Sequence, residues 1–213
     1  MADTMPQIRN HAAEKLARGE IVMSMTARFV TDPGIGLVAK SAGFDILFVD
    51  LEHGAHNIET TSRICIASQL AGVTPFVRVP SLEPEWISRV LDVGAMGVIC
   101  PHIDSPEEAE QIVRWAKYPP LGKRAAAGRF PQENYRRIPT AQSYESVNRA
   151  TTVLAMIESE GGMRHLDKIA ATEGVDILHI GVNDLANELG HAGEIDKPKV
   201  VAACLKVIEL API

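Results

Sequence analysis

Apolar residues along this chain fall into short unbroken runs separated by longer stretches of helical period. The runs are IVMSM at 21–25, ILFVD at 46–50, PFVRV at 75–79, GVIC at 97–100, TVLAMIE at 152–158 and ILHIG at 177–181. Most are continuously apolar rather than alternating, which predicts parallel strands covered on their outer face by helices. Capped helical segments lie between them. Thr31-Asp32-Pro33 opens one that runs to about Ala42 with Gly43 as its stop, Asn57 starts one ending at Ala71-Gly72, and Glu83-Pro84 opens one ending at Gly94. Ser105-Pro106-Glu107-Glu108 combines a cap, a first-turn proline and two acids that suit the helix dipole. Segments at 161–171 and 197–210 complete the set. A repeating strand–helix unit predicts an α/β fold with a parallel sheet. The stretch 118–148 breaks the rhythm with prolines, five basic residues and little strand signal. It is too long for an idle connection and reads as a functional loop with short helical pieces.

In parallel α/β folds the site forms at the carboxyl ends of the strands. Those ends deliver Asp50-Leu51-Glu52-His53, Arg78, Pro101-His102, Glu158 and Gly181-Val182-Asn183-Asp184. Glu158 and Asp184, from separate strands, can converge on one hard divalent cation such as Mg²⁺ or Mn²⁺. Asp184 reads equally well as a cap for the short helix after it. An arginine inside PFVRVP would bury an unpaired charge unless it has a partner or a ligand, so Arg78 is expected to bind a substrate carboxylate or a developing oxyanion. His53 is a candidate base that Asp50 could orient. A metal, a fixed cation and a base together describe enolate chemistry beside a carbonyl. The other histidines read more plainly: His56 as a loop residue, His179 as a satisfied core residue, and His11, His165 and His191 as surface residues.

Composition narrows the class. The chain has 213 residues, 46% of them hydrophobic, with a net charge of −6. That suffices for one well-cored domain over 1–213 and excludes disorder and disulfide scaffolds. No apolar run approaches the ~20 residues of a membrane span, and no basic block points to nucleic acid. Residues 1–10 have no secretory-signal pattern. Cys65, Cys100 and Cys204 are widely spaced in apolar surroundings, which predicts buried free thiols in a reducing, cytoplasmic compartment.

The ordered runs GFDILFVDLEHGAHN, FVRVP, VLDVGAMGVICPHIDSPEEAEQIVRWAKYPPLGKR, MIESEGGMRHLDKI and GVDILHIGVNDLANELG resemble the HpcH/HpaI aldolase/citrate lyase family, over about residues 10–210. Within it, the likeness is to the metal-dependent 2-keto-3-deoxy acid aldolases. The resemblance implies a (β/α)₈ TIM barrel of the phosphoenolpyruvate/pyruvate-binding type. It also implies a homohexamer built as a trimer of dimers. Glu158 and Asp184 match the family's ligands for Mg²⁺, Mn²⁺ or Co²⁺, His53 its catalytic histidine, Asp50 the partner acid, and Arg78 the arginine beside the pyruvate keto oxygen. Backbone amides around Asn183 and Asp184 would hold the pyruvate carboxylate. The implied activity is cleavage or formation of a C–C bond between a pyruvate enolate and an aldehyde, on a 4-hydroxy-2-oxo acid.

There are departures from the family pattern. Met156 stands where bacterial members have glutamine, and Arg124-Ala125 replaces the family's Arg-Gly after Tyr-Pro-Pro, which alters what reads as an entrance loop. His102 and Tyr144 resemble the pair that holds the second substrate in macrophomate synthase, a fungal relative that decarboxylates oxaloacetate and captures the enolate. This gives a second enzymatic reading; a non-catalytic barrel is a third. Six strands are countable where a closed barrel has eight, typically in ~250 residues. The expectation is therefore a barrel lacking its last strands at the C-terminus: either the chain is truncated or the barrel is completed unusually, and a real end would leave open sheet edges.

Overall fold

The computed structural model describes residues 8–210. The readings made on residues 1–7, and on the chain's end at 211–213, lie outside the described residues. A parallel sheet of six strands follows the chain in order: β1 (Ser24–Ala27), β2 (Ile46–Asp50), β3 (Thr74–Arg78), β4 (Gly97–Cys100), β5 (Thr152–Ile157) and β6 (Ile177–Ile180). It curls into a barrel-like α/β layer without closing among these residues. Ten helices accompany it among the described residues. They are α1 (His11–Leu16), α2 (Ile35–Ser41), α3 (Ile58–Ala71), α4 (Pro84–Asp92), α5 (Pro106–Ala116), α6 (Thr140–Ala150), α7 (Glu160–Arg164), α8 (Leu166–Ala170), α9 (Val182–Glu188) and α10 (Pro198–Leu210). None is long and apolar enough to cross a membrane.

The unbroken apolar runs are explained by burial on both faces. One parity of residues (Leu47, Val49, Val77, Val98, Val153, Ala155) packs outward against Ile64, Ile87, Ile112 and Leu166 of the helices. The other parity (Ile46, Phe76, Ile99, Leu154, Met156) points inward and forms a second, interior cluster joined by Phe48 and Ile177. Gly97 is required here, because a Cβ at that position would lie 2.4 Å from the Phe76 ring that fills the interior. Helix ends follow the caps read from sequence. Asn57 accepts the Thr60 amide at the start of α3, Gly72 ends it with φ +75°, and Ser105 and Glu108 close a reciprocal capping box on α5.

Several boundaries differ from the sequence expectation. The first strand starts at Ser24 rather than residue 21, and Ile21 and Met23 are exposed. At an edge, pairing is one-sided: Asp45 binds both backbone groups of Met23, and the ladder begins only at Ser24 opposite Ile46. The helix expected over 161–171 is two short ones meeting at His165. Helix α1 was not expected, while the short helical pieces expected within 118–148 take the form of a 3-10 turn at Pro131–Glu133 and α6. The six-residue α1 is too short to show a period; its cap Asn10 also donates to Ala150 O and Thr152 Oγ1, which fixes it across the start of β5.

The largest correction concerns 118–148. The segment leaves α5 and enters β5, and it covers the amino ends of the strands rather than the entrance. Gln132 donates to the carbonyls of Leu91 and Ala95, Arg124 pairs with Asp92, and Lys117 donates to the Asn148 and Thr151 carbonyls. All of these lie where α4, α5 or α6 gives way to the next strand. Tyr144 therefore sits in an aromatic cluster under the sheet, stacked on Tyr118 with ring centroids 4.0 Å apart. Of the three thiols, Cys65 and Cys100 are buried, whereas Cys204 on α10 is half-buried.

Candidate active site

At the carboxyl ends of the strands the inward parity changes from apolar to charged. Asp50 is fully buried at the end of β2 and directly opposite Arg78 in the β2–β3 ladder. Arg78 donates to it through two nitrogens, at 3.0 Å (Nε) and 2.7 Å (Nη2). Arg28, just past β1, donates from Nε at 3.1 Å, and the amides of Glu52 and His53 donate to the same carboxylate. Burial alone would raise the Asp50 carboxyl, but the hydrogen bonds and charges of Arg78, the His53 amide and Arg28 outweigh it and hold the group down at about 2. A bidentate, five-donor arrangement like this fixes the guanidinium as well as the acid. Nη1 of Arg78 lies 2.7 Å from Glu52 Oε2, so the arginine is clamped between two acids with its face 5.6 Å from the Phe48 centroid.

His53 lies at the rim, with its ring half-exposed and 3.8 Å from Glu52 Oε2. Asp50 reaches the His53 amide and not its ring, so within this structure the acid orients the loop that carries the imidazole. His102 adopts a left-handed backbone, φ +54°, which aims its amide at Glu158 Oε1 at 2.7 Å. Its ring nitrogens lie 3.1 Å from Glu158 Oε1 and 3.1 Å from Glu52 Oε1. Glu158 is 2% exposed. Burial pushes its carboxyl up, against the pull of the His102 amide and ring, and the charges of Glu52 and Asp184 push the same way as burial.

Two observations bear on a metal. Glu158 Oε2 is buried and has no hydrogen-bond partner among the described residues. It fills the space a side chain at position 181 would need: a Cβ on Gly181 would fall 2.2 Å from it. Gly181 thus admits the free carboxylate oxygen to the start of α9, whose first turn carries Asp184. The alternative that Asp184 caps this helix is not realised, since α9 has Gly181 as its N-cap and no side-chain cap bond. Among the described residues no group of three or more His, Cys, Asp or Glu side chains could hold a metal. The pair Glu158 and Asp184 fits the alternative arrangement, in which one or two carboxylates hold a hard cation and water or substrate supplies the remaining oxygens.

These groups face a cavity of about 220 Å³ lined by Thr26, Arg28, Phe48, His53, Arg78, Met156, His179 and residues 180–184. The structure therefore brings His53, Arg78, Asn183 and Asp184 to one space, with Asp50 and Glu158 behind it and His102 bridging Glu52 to Glu158. It does not bring Tyr144 there. Sequence reasoning missed four neighbours. Glu52 stood unweighted between Asp50 and His53. Thr26 and Arg28 were hidden by placing the first strand three residues early, which moved its polar end out of sight. His179 is not a core residue but a cavity wall, edge-on to Phe48 at 6.0 Å; burial and the Arg78 charge push its ring toward the neutral form. Its parity with Met156 and Ile177 was the available signal.

A strand-end acid pair, a clamped arginine and a rim histidine around one cavity form an acid-and-cation site on an α/β barrel-like sheet. The model of the HpcH/HpaI aldolase/citrate lyase family matches residues 32–213, and the chain belongs to that family. A 4-hydroxy-4-methyl-2-oxoglutarate aldolase of Hapsidospora irregularis is 39% identical over 201 residues, covering 93% of this chain and 74% of the relative. The solved HpcH/HpaI aldolase of Desulfitobacterium hafniense superimposes with a TM-score of 0.89 at 33% identity, over 93% of this chain and 76% of that one. Macrophomate synthase shares the fold, with a TM-score of 0.79 at 24% identity over 94% of this chain and 71% of its own.

Proposed function

We propose that this chain is a divalent-metal-dependent aldolase that cleaves or forms 4-hydroxy-2-oxo acids by way of a pyruvate enolate. The observation that carries the reading is the unpaired buried oxygen of Glu158, set against the first turn of α9 beside Asp184. Glu158 and Asp184 would hold Mg²⁺, Mn²⁺ or Co²⁺. A bound cation of this kind supplies Lewis acidity toward the substrate's keto group, in place of a Schiff-base lysine. The amides of residues 182–184 precede the first intrahelical bond of α9, made by Leu185 to Gly181, have no partner among the described residues, and would receive the pyruvate carboxylate. Arg78, immobilised by Asp50 and Glu52, places fixed positive charge where negative charge develops on the keto oxygen, so little reorganisation is needed during reaction. His53, reaching the cavity from the rim, takes the proton of the 4-hydroxyl as the C3–C4 bond breaks. The same group returns a proton to the pyruvate methyl carbon.

This reading carries its own context: a single TIM-barrel domain of the pyruvate-binding type, assembled as a homo-oligomer in the cytoplasm. The oxaloacetate-decarboxylating alternative keeps His102 at the site but not this chain's Tyr144, so the aldolase reading is preferred. Pyruvate release from a 4-hydroxy-2-oxo acid is expected to stop in EDTA and return with excess Mg²⁺ or Mn²⁺. Full activity in chelator, with borohydride trapping of a lysine adduct, refutes it. Faster pyruvate release from oxaloacetate than from the hydroxy-oxo acid moves the assignment to decarboxylation.

A further inference from the structure

Arg28 occupies a position in the cavity that the proposed chemistry does not use. The last ladder pair between β1 and β2 is Ala27 opposite Val49, so Arg28 stands next to Asp50 on the inward parity that also carries Thr26. One nitrogen, Nε, is bound to Asp50 Oδ2 at 3.1 Å. Among the described residues its two terminal nitrogens have no hydrogen-bond partner, and the side chain is 41% exposed where it lines the cavity. Arg78 also binds Asp50 through Nε and lines the cavity, but it is buried and its terminal nitrogens are engaged by Asp50 and Glu52. Asp50 and Glu52 are already engaged by arginines, whereas the acids without an arginine partner lie away from β1. Asp184 lines the cavity after β6 with Glu158 behind it at the end of β5, and Arg28 stands at the end of β1 as an anchored guanidinium with its fork free.

Resting on the aldolase reading, we propose that Arg28 is a specificity residue. It receives a second carboxylate, carried on C4 of the substrate, and makes dicarboxylic 4-hydroxy-2-oxo acids the preferred class. The planar fork matches a carboxylate through its two free nitrogens, and the Nε bond to Asp50 fixes the plane of that fork before substrate arrives. A substrate held by its oxo-acid end at Glu158 and Asp184 presents its far end across the cavity, toward β1.

The test compares 4-hydroxy-2-oxoglutarate with 4-hydroxy-2-oxopentanoate, which differ only in carboxylate against methyl at C4, on the metal-loaded full chain. In the unaltered protein kcat/KM favours the dicarboxylate, and Arg28→Gln is expected to lower that ratio about tenfold or more, the size of one charge-assisted contact. The Arg28→Lys variant, which keeps the charge but not the fork, should fall between the two. An unchanged ratio in Arg28→Gln overturns the proposal, whatever happens to the absolute rates. Calorimetric binding of glutarate against pentanoate is a second arm that needs no turnover. A preference for glutarate in the unaltered protein that disappears in Arg28→Gln supports the assignment, and equal preference in both proteins, or none in either, refutes it. If neither hydroxy-oxo acid is cleaved, the aldolase reading falls while this binding arm still decides the role of Arg28.

Discussion

Arg78 and Arg124 are buried to nearly the same degree, 6% and 4% exposed, at opposite ends of one sheet. At the amino end, Arg124 pairs with one acid, Asp92, and lies over the rings of Tyr118 and Phe130 at 4.8 and 5.4 Å. The 118–148 segment seals it in. Its charge is offset by that ion pair and two aromatic faces, while Nε and Nη1 are buried without a hydrogen-bond partner. At the carboxyl end, the described acids Asp50, Glu52, Glu158 and Asp184 outnumber the arginines Arg28 and Arg78, Glu158 Oε2 has neither a hydrogen-bond nor an arginine partner, and a cavity stands in front. A buried charge by itself thus indicates neither stability nor function. What separates the two ends is not hydrogen-bond satisfaction, since Arg124 Nε and Nη1, Tyr118 OH and Glu133 Oε1 below the sheet also lack partners, but the surplus of acids beside an open space above it.

The strongest way to sharpen this contrast is to remove the surplus. Glu158→Gln should reduce pyruvate release by roughly a thousandfold, since it strips one of two carboxylates from the cation position. Its thermal midpoint should hold or rise, because a buried acid whose charged form is disfavoured has been replaced by a neutral amide; a fall of several degrees would contradict the picture of Glu158 as an unsatisfied group. The opposite behaviour is expected below the sheet. Arg124→Ala should cost about 3 kcal/mol in denaturant unfolding, as one partner of a buried pair is lost along with its aromatic packing. Turnover per folded molecule should stay within about threefold. Loss of activity without loss of stability in this variant would break the comparison.

Acid titration distinguishes the ends more gently. The Asp50 carboxyl is held down at about 2 in the folded chain. Its contribution is therefore complete above the ordinary carboxylate range and is lost as pH falls from about 4 toward 2. Asp50→Asn should flatten the acid limb of a stability–pH profile in that window, whereas Arg124→Ala should leave the limb's shape unchanged. The smallest effect belongs to Tyr144→Phe. It keeps the stack on Tyr118 and removes only a hydroxyl remote from the cavity, so both kcat and KM should change by less than about twofold. A large change in KM would return Tyr144 to the substrate.

Much of this was legible in the chain. The runs at 46–50 and 97–100 coincide with β2 and β4, and the Asn57 and Ser105 caps fall where they were expected, because these signals are local: two-faced burial of a strand and the hydrogen bonding of a helix end. Strand-end polarity delivered Asp50, Arg78, Glu158 and Asp184 for the same reason, since a charged residue closing an apolar run has little structural purpose. Edge strand β1 was misplaced, and with it Arg28, because hydrophobicity does not report pairing where one side of a strand has no neighbour.

The sequence by itself therefore determined the alternation of strand and helix, the parity that turns charges inward at one end, and the family to which those charges belong. Tertiary structure decided which of them meet. Only the register of β2 against β3 puts Asp50 on Arg78, only the bare α-carbon of Gly181 admits the Glu158 oxygen, and only the path from α5 to β5 sends Tyr144 beneath the sheet. Each of these depends on a distance between residues far apart in the chain, and local pattern carries no information about such distances.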